Sequence, residues 1–338
     1  MLKKILLLTL FVACLNARVI VDGYGEKITI PDRAEKVMPI TGIFVQIAVA
    51  LGNEERTISG AWRGLSPMLL KVFPKLKTTG FQGGSMPASV EMIISSKTQV
   101  VLGPDLLDDN IKKQLESAGV AVVRMGTTLS NVGELKARIS KIGEIYGGES
   151  IERANEINAH IDENVAFVQG RLPKNAPKQR VLVLSYYTSG WTTITKNFLP
   201  AEFIRLAGGV NLASRDGVFG DFPTISDEQV MVYDPDVIIT NTQEGLQKIL
   251  TNPVFKQVKA VKDKRIFVQP RGTGTFWGGT EAALQILWMG KILYPNEFKD
   301  VDMRAKTREF YKKYYKYDLS EDELTEILYP TKKVKPVF

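Results

Sequence analysis

The stretch from Asn131 to about Leu172 constrains the fold of this chain more than any other part, because some forty residues pass there without a strand-like run. Leu135, Ile139, Ile142 and Ile145, then Ala154, Ile157, Ile161, Val165 and Val168, recur at helical spacing. Gly147-Gly148 interrupts the pattern, so two consecutive helices are expected, the second from about Glu149 to Arg171, with Pro173 to Pro177 closing it. On both sides strands and helices alternate. Before the break, Val19 to Val21 and Lys27 to Ile30 flank Asp22-Gly23-Tyr24-Gly25 as a hairpin. Short strands follow at Val37 to Ile40, Thr57 to Ser59, Gln99 to Gly103 and Val120 to Met125, with helical patterns between them. After the break, strands are expected at Val181 to Leu184, Val237 to Thr240 and Arg265 to Val268. Such alternation implies parallel sheets with helices on their faces, and 338 residues exceed what one core organises. The expected fold class is α/β. Its organisation is a leader at 1–17, an N-terminal α/β lobe at 18–132, a helical connector at 133–172, a C-terminal α/β lobe at 173–330 and a tail at 331–338.

The leader is read from Lys3 and Lys4 ahead of the apolar run Ile5 to Leu15, ending near Ala17, which has the form of a signal peptide. That run is well short of the roughly twenty residues a membrane helix needs. Cys14, the only cysteine, lies inside it: either it is discarded by cleavage after Ala17, or Phe11-Val12-Ala13-Cys14 acts as a lipobox and Cys14 is lipidated. Both routes predict an exported, periplasmic protein whose fold uses no disulfide, and both exclude thiolate chemistry from the mature chain. The formal charge of +7 falls to +5 once Lys3 and Lys4 leave, and the remaining charges are interspersed. Without clustered basic and aromatic residues, nucleic acid is not an expected partner.

The two α/β units share a faint repeat. Residues Glu91 to Leu102 align without gaps to Glu228 to Ile239, each a helix begun near an acid and followed by a buried strand. The single histidine, His160, falls on the connector and reads as a solvated helix residue. A bare transition metal needs several imidazoles or thiolates, so no metal-ligand set and no resident cofactor are expected. Catalysis finds little support either. Gly83-Gly84-Ser85 lacks nucleophile-elbow spacing, which leaves a carboxylate pair drawn from Asp105, Asp108, Asp109, Asp216 and Asp221 as the only route to a secreted hydrolase.

At this point the chain resembles the periplasmic iron-complex and cobalamin binding proteins, over nearly everything after the leader. The resemblance is carried by Ala50-Leu51-Gly52, Ser59-Gly60 and Ser89-Val90-Glu91 leading into Val100-Val101-Leu102. In the second half it is carried by Gly208-Gly209-Val210-Asn211, Ser226 to Val230, Asp234-Pro235-Asp236-Val237-Ile238-Ile239, Val258 to Ile266 and Glu281 to Trp288. Thr98-Gln99 departs from the Pro-Asp the family usually carries, as at Pro235-Asp236; it lies in a loop, and no functional effect is expected. The resemblance implies two Rossmann-like lobes joined by a long connector helix with a ligand cleft between them, a monomer, and an inner-membrane ABC permease with its ATPase as partner. It also implies that Glu91 and Glu228 dock on permease arginines, where the alternative reading of each is an acid favourable to its helix dipole.

Ligands of two-lobed α/β proteins sit outside the carboxyl ends of strands. The loops expected there carry aromatics and arginines, and three of the four tryptophans fall in them. Trp62, Arg63, Phe81, Tyr187, Trp191, Arg215, Arg271 and Trp277 are the candidate ligand residues: arginine forks suit anionic oxygens, and aromatic faces suit flat organic groups. Pro270 to Gly279 lacks dinucleotide-loop spacing, but its glycines let backbone amides approach an anion. The expected cargo is a chelated metal, first a ferric siderophore or similar iron complex, then an oxyanion such as molybdate or tungstate, then cobalamin or haem.

Overall fold

The computed structural model describes residues 17–60, 65–78, 89–104, 107–126, 129–175, 177–187, 190–215 and 222–330, with Arg215 described by its backbone alone. The chain forms two compact units: 1–65, 73–127 and 141–153 in the first, 66–72, 128–140 and 154–338 in the second. The two helices expected from the strandless stretch form at Val132–Tyr146 and Glu149–Arg171. Leu135, Ile139, Ile142, Ile145, Ala154, Ile157, Ile161 and Val168 are all buried, so the periodicity marks a real apolar stripe. Gly147 and Gly148 stand at φ +70° and +56°, a conformation glycine adopts at least cost, which is why the helix stops there.

In the first unit, β1 (Ala17–Val21) and β2 (Lys27–Pro31) form the expected antiparallel hairpin. Asp22 Oδ1 accepts from the amides of Tyr24 (2.8 Å) and Glu26 (2.9 Å) and so fixes its turn. β3 (Val37–Pro39), β4 (Val100–Pro104) and β5 (Ala121–Met125) make a parallel sheet in that order. The strand expected at Thr57 to Ser59 is reduced to a single bridge from Thr57 to Val37. Met38, Ile93, Val101, Leu115 and Val122 belong to its core.

The second unit holds a four-stranded parallel sheet. Its strands are β6 (Gln179–Val183), β9 (Gly209–Asn211), β10 (Val237–Thr240) and β11 (Ile266–Val268), in the order β11-β10-β6-β9. An antiparallel hairpin of β7 (Ser185–Tyr187) and β8 (Gly190–Thr192) follows β6 directly. From β6 the chain crosses to β9, whereas from β10 it crosses the other way to β11. The adjacent strands β6 and β10 therefore flank a topological switch point, where open α/β sheets receive ligands. Leu182, Leu184, Ile238, Ile249 and Phe255 pack the core here.

The repeat is structural as well as textual. Helices Val90–Ser95 and Asp227–Tyr233 are each capped by a serine, Ser89 and Ser226, that accepts from an amide three residues on. Lys97 and Asp234, at equivalent positions after the helices, both take positive φ. The departure at Gln99 is resolved too. Its side-chain oxygen accepts from the amides of Glu35 and Lys36, as the Asp236 carboxylate accepts from the amide of Arg180. A neutral acceptor thus does the same local work.

Candidate functional site

At the switch point of the second unit three connections begin. One is the β7–β8 hairpin after β6, one is Thr240 to Thr242 leading into helix Gln243–Thr251, and one is Gln269 onward after β11. The Gln269 amide donates to Thr240 O at 2.8 Å and ties two of them together. Among the described residues, several buried polar atoms here have no hydrogen-bond partner: Thr193 Oγ1, Thr240 Oγ1, Gln269 Nε2, Arg271 Nε and Trp277 Nε1. Buried polar groups are normally paired, so these unpaired atoms on and beside the connections are candidates for meeting a polar ligand.

Arg271 is the strongest of them. Its guanidinium is half-buried, and among the described residues it meets no carboxylate and no hydrogen-bond acceptor. Burial lowers its proton affinity below the ordinary arginine value, partly opposed by the Tyr187 phenol. Holding a cation out of water without a counter-charge costs several kcal/mol, roughly, and an arriving anion recovers that cost. Six residues on, the buried Trp277 ring packs edge-on to Phe198 at 6.5 Å, and Phe198 packs likewise on Phe222 at 5.1 Å.

The loop bearing Arg271 is pinned at many points. Arg271 N–H donates to Ile327 O at 2.9 Å, and Ser66 Oγ donates to Thr273 O at 2.7 Å. Glu281, fully buried, accepts from the amides of Thr273 (3.1 Å) and Gly274 (3.2 Å) and from the Tyr311 hydroxyl. Nothing in the sequence singled out Glu281 beyond its place in the family resemblance, since one acid near a helix start carries no periodic signal.

Tyr187 and Arg271 are brought together, and Trp277 shares the Arg271 loop. Trp191 belongs instead to the unit's core: it is 7% exposed, with Tyr186 at 4.9 Å and Phe255 at 5.5 Å, and it forms the wall behind Tyr186. Trp62, Arg63 and Phe81 lie outside the described residues, as does the side chain of Arg215. Glu91 and Glu228 are exposed in the first turns of their helices, and both titrate below the usual range. For Glu91 the leading cause is the Ser89 hydroxyl, for Glu228 its own backbone amide. The reading of His160 as solvated needs correction. It is half-buried, stacks on Tyr314 at 5.8 Å and sits 3.2 Å from the Tyr314 hydroxyl, and burial lowers its pKa. The loop acids are engaged where described: Asp108 caps helix Asp109–Ser117 and Asp109 pairs with Arg124 at 3.0 Å, while Asp105, Asp216 and Asp221 lie outside the described residues. Among the described residues no three His, Cys, Asp or Glu side chains come together as a metal site. No described helix is long and apolar enough to cross a membrane.

Comparison with known proteins bears on the family and the fold. The periplasmic binding protein family model matches residues 82–271. The molybdate-binding protein MolA of Haemophilus influenzae is 24% identical, covering 94% of this chain and 96% of its own. Its molybdate-bound crystal structure superposes with a TM-score of 0.75 over 90% of this chain and 99% of that one, at 21% identity. A cobalamin-binding protein of Halobacterium salinarum is 24% identical over 65% of this chain and 57% of its own. A periplasmic solute-binding protein of Veillonella parvula gives a TM-score of 0.76 at 22% identity, covering 93% of this chain and 97% of that chain.

Proposed function

We propose, since the chain belongs to the periplasmic binding protein family, that it is the solute-binding component of an ABC importer and that its cargo is an anionic metal species. The observation that carries this reading is the half-buried guanidinium of Arg271, unpaired among the described residues and flanked by Tyr187 and the Trp277 loop. A rigid fork of donors in a partly desolvated setting favours oxygens of net negative charge. Two cargoes have that chemistry. A ferric chelate offers carboxylate or catecholate oxygens to Arg271 and flat organic surface to Tyr187 and Trp277. A molybdate-like oxyanion offers four oxygens to Arg271 and to the hydroxyl and amide donors of Thr193, Thr240 and Gln269, and the nearly full-length match to a molybdate-binding protein favours it. Delivery to the permease is assigned to Glu91 and Glu228, whose equivalent places in the repeat suit a partner with two-fold symmetry.

Isothermal titration of the mature protein with molybdate, tungstate, ferric citrate, a ferric catecholate, haemin and cobalamin tests the reading. Saturable binding of an anionic species at micromolar or lower concentration, weakened at least about tenfold in Arg271→Gln, is the expected result. Tight binding that ignores this substitution would sink it.

A further inference from the structure

Glu281, a buried acid in the second unit, directs its hydrogen bonds onto the loop that carries Arg271. One Glu281 oxygen accepts from the Thr273 amide and the Tyr311 hydroxyl, the other from the Gly274 amide. Tyr311 and Tyr315 come from the π-helical turn Tyr311–Tyr315, a geometry that recurs at functional sites. The Tyr315 hydroxyl reaches Thr273 Oγ1 at 3.1 Å and Thr280 Oγ1 at 2.8 Å, clasping both ends of the loop. At Gly272 a Cβ would collide with the Tyr311 hydroxyl and the Glu281 carboxylate, so the backbone rides directly on this cluster.

We propose that Glu281 is a positioning residue for solute binding, whose ionised carboxylate, backed by Tyr311 and Tyr315, fixes the backbone of Thr273 and Gly274 and thereby the aim of Arg271. The inference rests on the reading of Arg271 as a solute ligand. A carboxylate accepts at both oxygens from the two amides and the neighbouring hydroxyls while ionised; a proton on either oxygen removes an acceptor position and weakens that grip on the loop. The titratable groups around the carboxylate are the Tyr311 and Tyr315 phenols of the π-helical turn and Arg271 at the head of the loop. Burial and the neighbouring carboxylate push Tyr311 well above its ordinary value, and Arg271 remains a cation, so near neutral pH only the carboxyl changes state. Burial pushes Glu281 up to about 7, against the pull of its hydrogen bonds from Tyr311, Thr273 and Gly274.

Hydrogen exchange of peptides spanning 270–280 in the unliganded protein at pH 8 tests the positioning without any solute. In Glu281→Gln, and to a smaller degree in Tyr311→Phe, these amides are expected to exchange about tenfold faster while peptides from β6 and β10 are unchanged. Affinity for molybdate and ferric citrate is expected to weaken about tenfold in Glu281→Gln with no lowering of the melting temperature. It also weakens in the wild type, but not in Glu281→Gln, as pH falls from 8 to 6. Unchanged exchange in both variants overturns the inference, and so does a parallel loss of protection throughout the unit. Arg271→Gln binding as tightly as the wild type overturns the solute reading instead, and the exchange result then still decides whether Glu281 orders the loop.

Discussion

A guanidinium taken from water without a counter-charge weakens the fold that holds it, and among the described residues Arg271 meets none, so it should cost this protein stability while it waits for solute. Replacing it with an apolar chain of similar length then separates the two effects. Arg271→Met is expected to raise the unfolding free energy by about 1 kcal/mol and to abolish solute binding. Denaturant unfolding beside titration checks this, and a destabilised variant would mean that Arg271 is paired within the fold. Arg271, Tyr187 and Trp277 stood out in the sequence as candidates because loop arginines and aromatics beside strand ends are an unusual use of such side chains, and the fold brings Tyr187 to Arg271. Trp191 reads as a loop residue in the sequence, whereas it lies on the short strand β8 and its ring joins the core between Tyr186 and Phe255. Glu281 was not legible as a functional residue, since its role depends on tyrosines some thirty residues away.

The helix-strand units around Glu91 and Glu228 show how far pattern reaches at the level of elements. Their twelve-residue alignment foretold a shared local structure, and the two serine caps and the two positive-φ residues reproduce it. Ser89→Ala and Ser226→Ala are each expected to cost about 1 kcal/mol, because each leaves a helix amide without its side-chain acceptor. Thermal melts of the two variants check it; a loss at one site only would break the equivalence. The helical stretch from Asn131 was readable because its apolar spacing is regular and its break is written as two glycines. The strand expected at Thr57 was not, since three apolar-flanked residues cannot distinguish a full ladder from the single bridge observed.

At the scale of the whole molecule, stability should carry the signature of Glu281. An ordinary glutamate titrates near 4.5 and Glu281 at about 7, so between those values the folded chain keeps a proton that the unfolded chain has released. The contribution is fully present below about 4.5 and is lost as pH rises to about 7, by at most about 3 kcal/mol. Urea unfolding across that range should show this decline in the wild type and lack it in Glu281→Gln. The ionised carboxylate therefore costs stability in the pH range where it orders the loop. If Glu91 and Glu228 dock on the permease, a Glu91→Ala, Glu228→Ala double variant is expected to bind solute normally yet fail to support growth on it, and normal growth would leave the two acids as helix-dipole partners only. The most direct test of the anionic-cargo account is the crystal structure of the protein saturated with its tightest-binding solute. The account predicts anionic oxygens of that solute on the Arg271 guanidinium, beside Tyr187 and the Trp277 loop. Solute seated elsewhere, with Arg271 still unpaired, would contradict it.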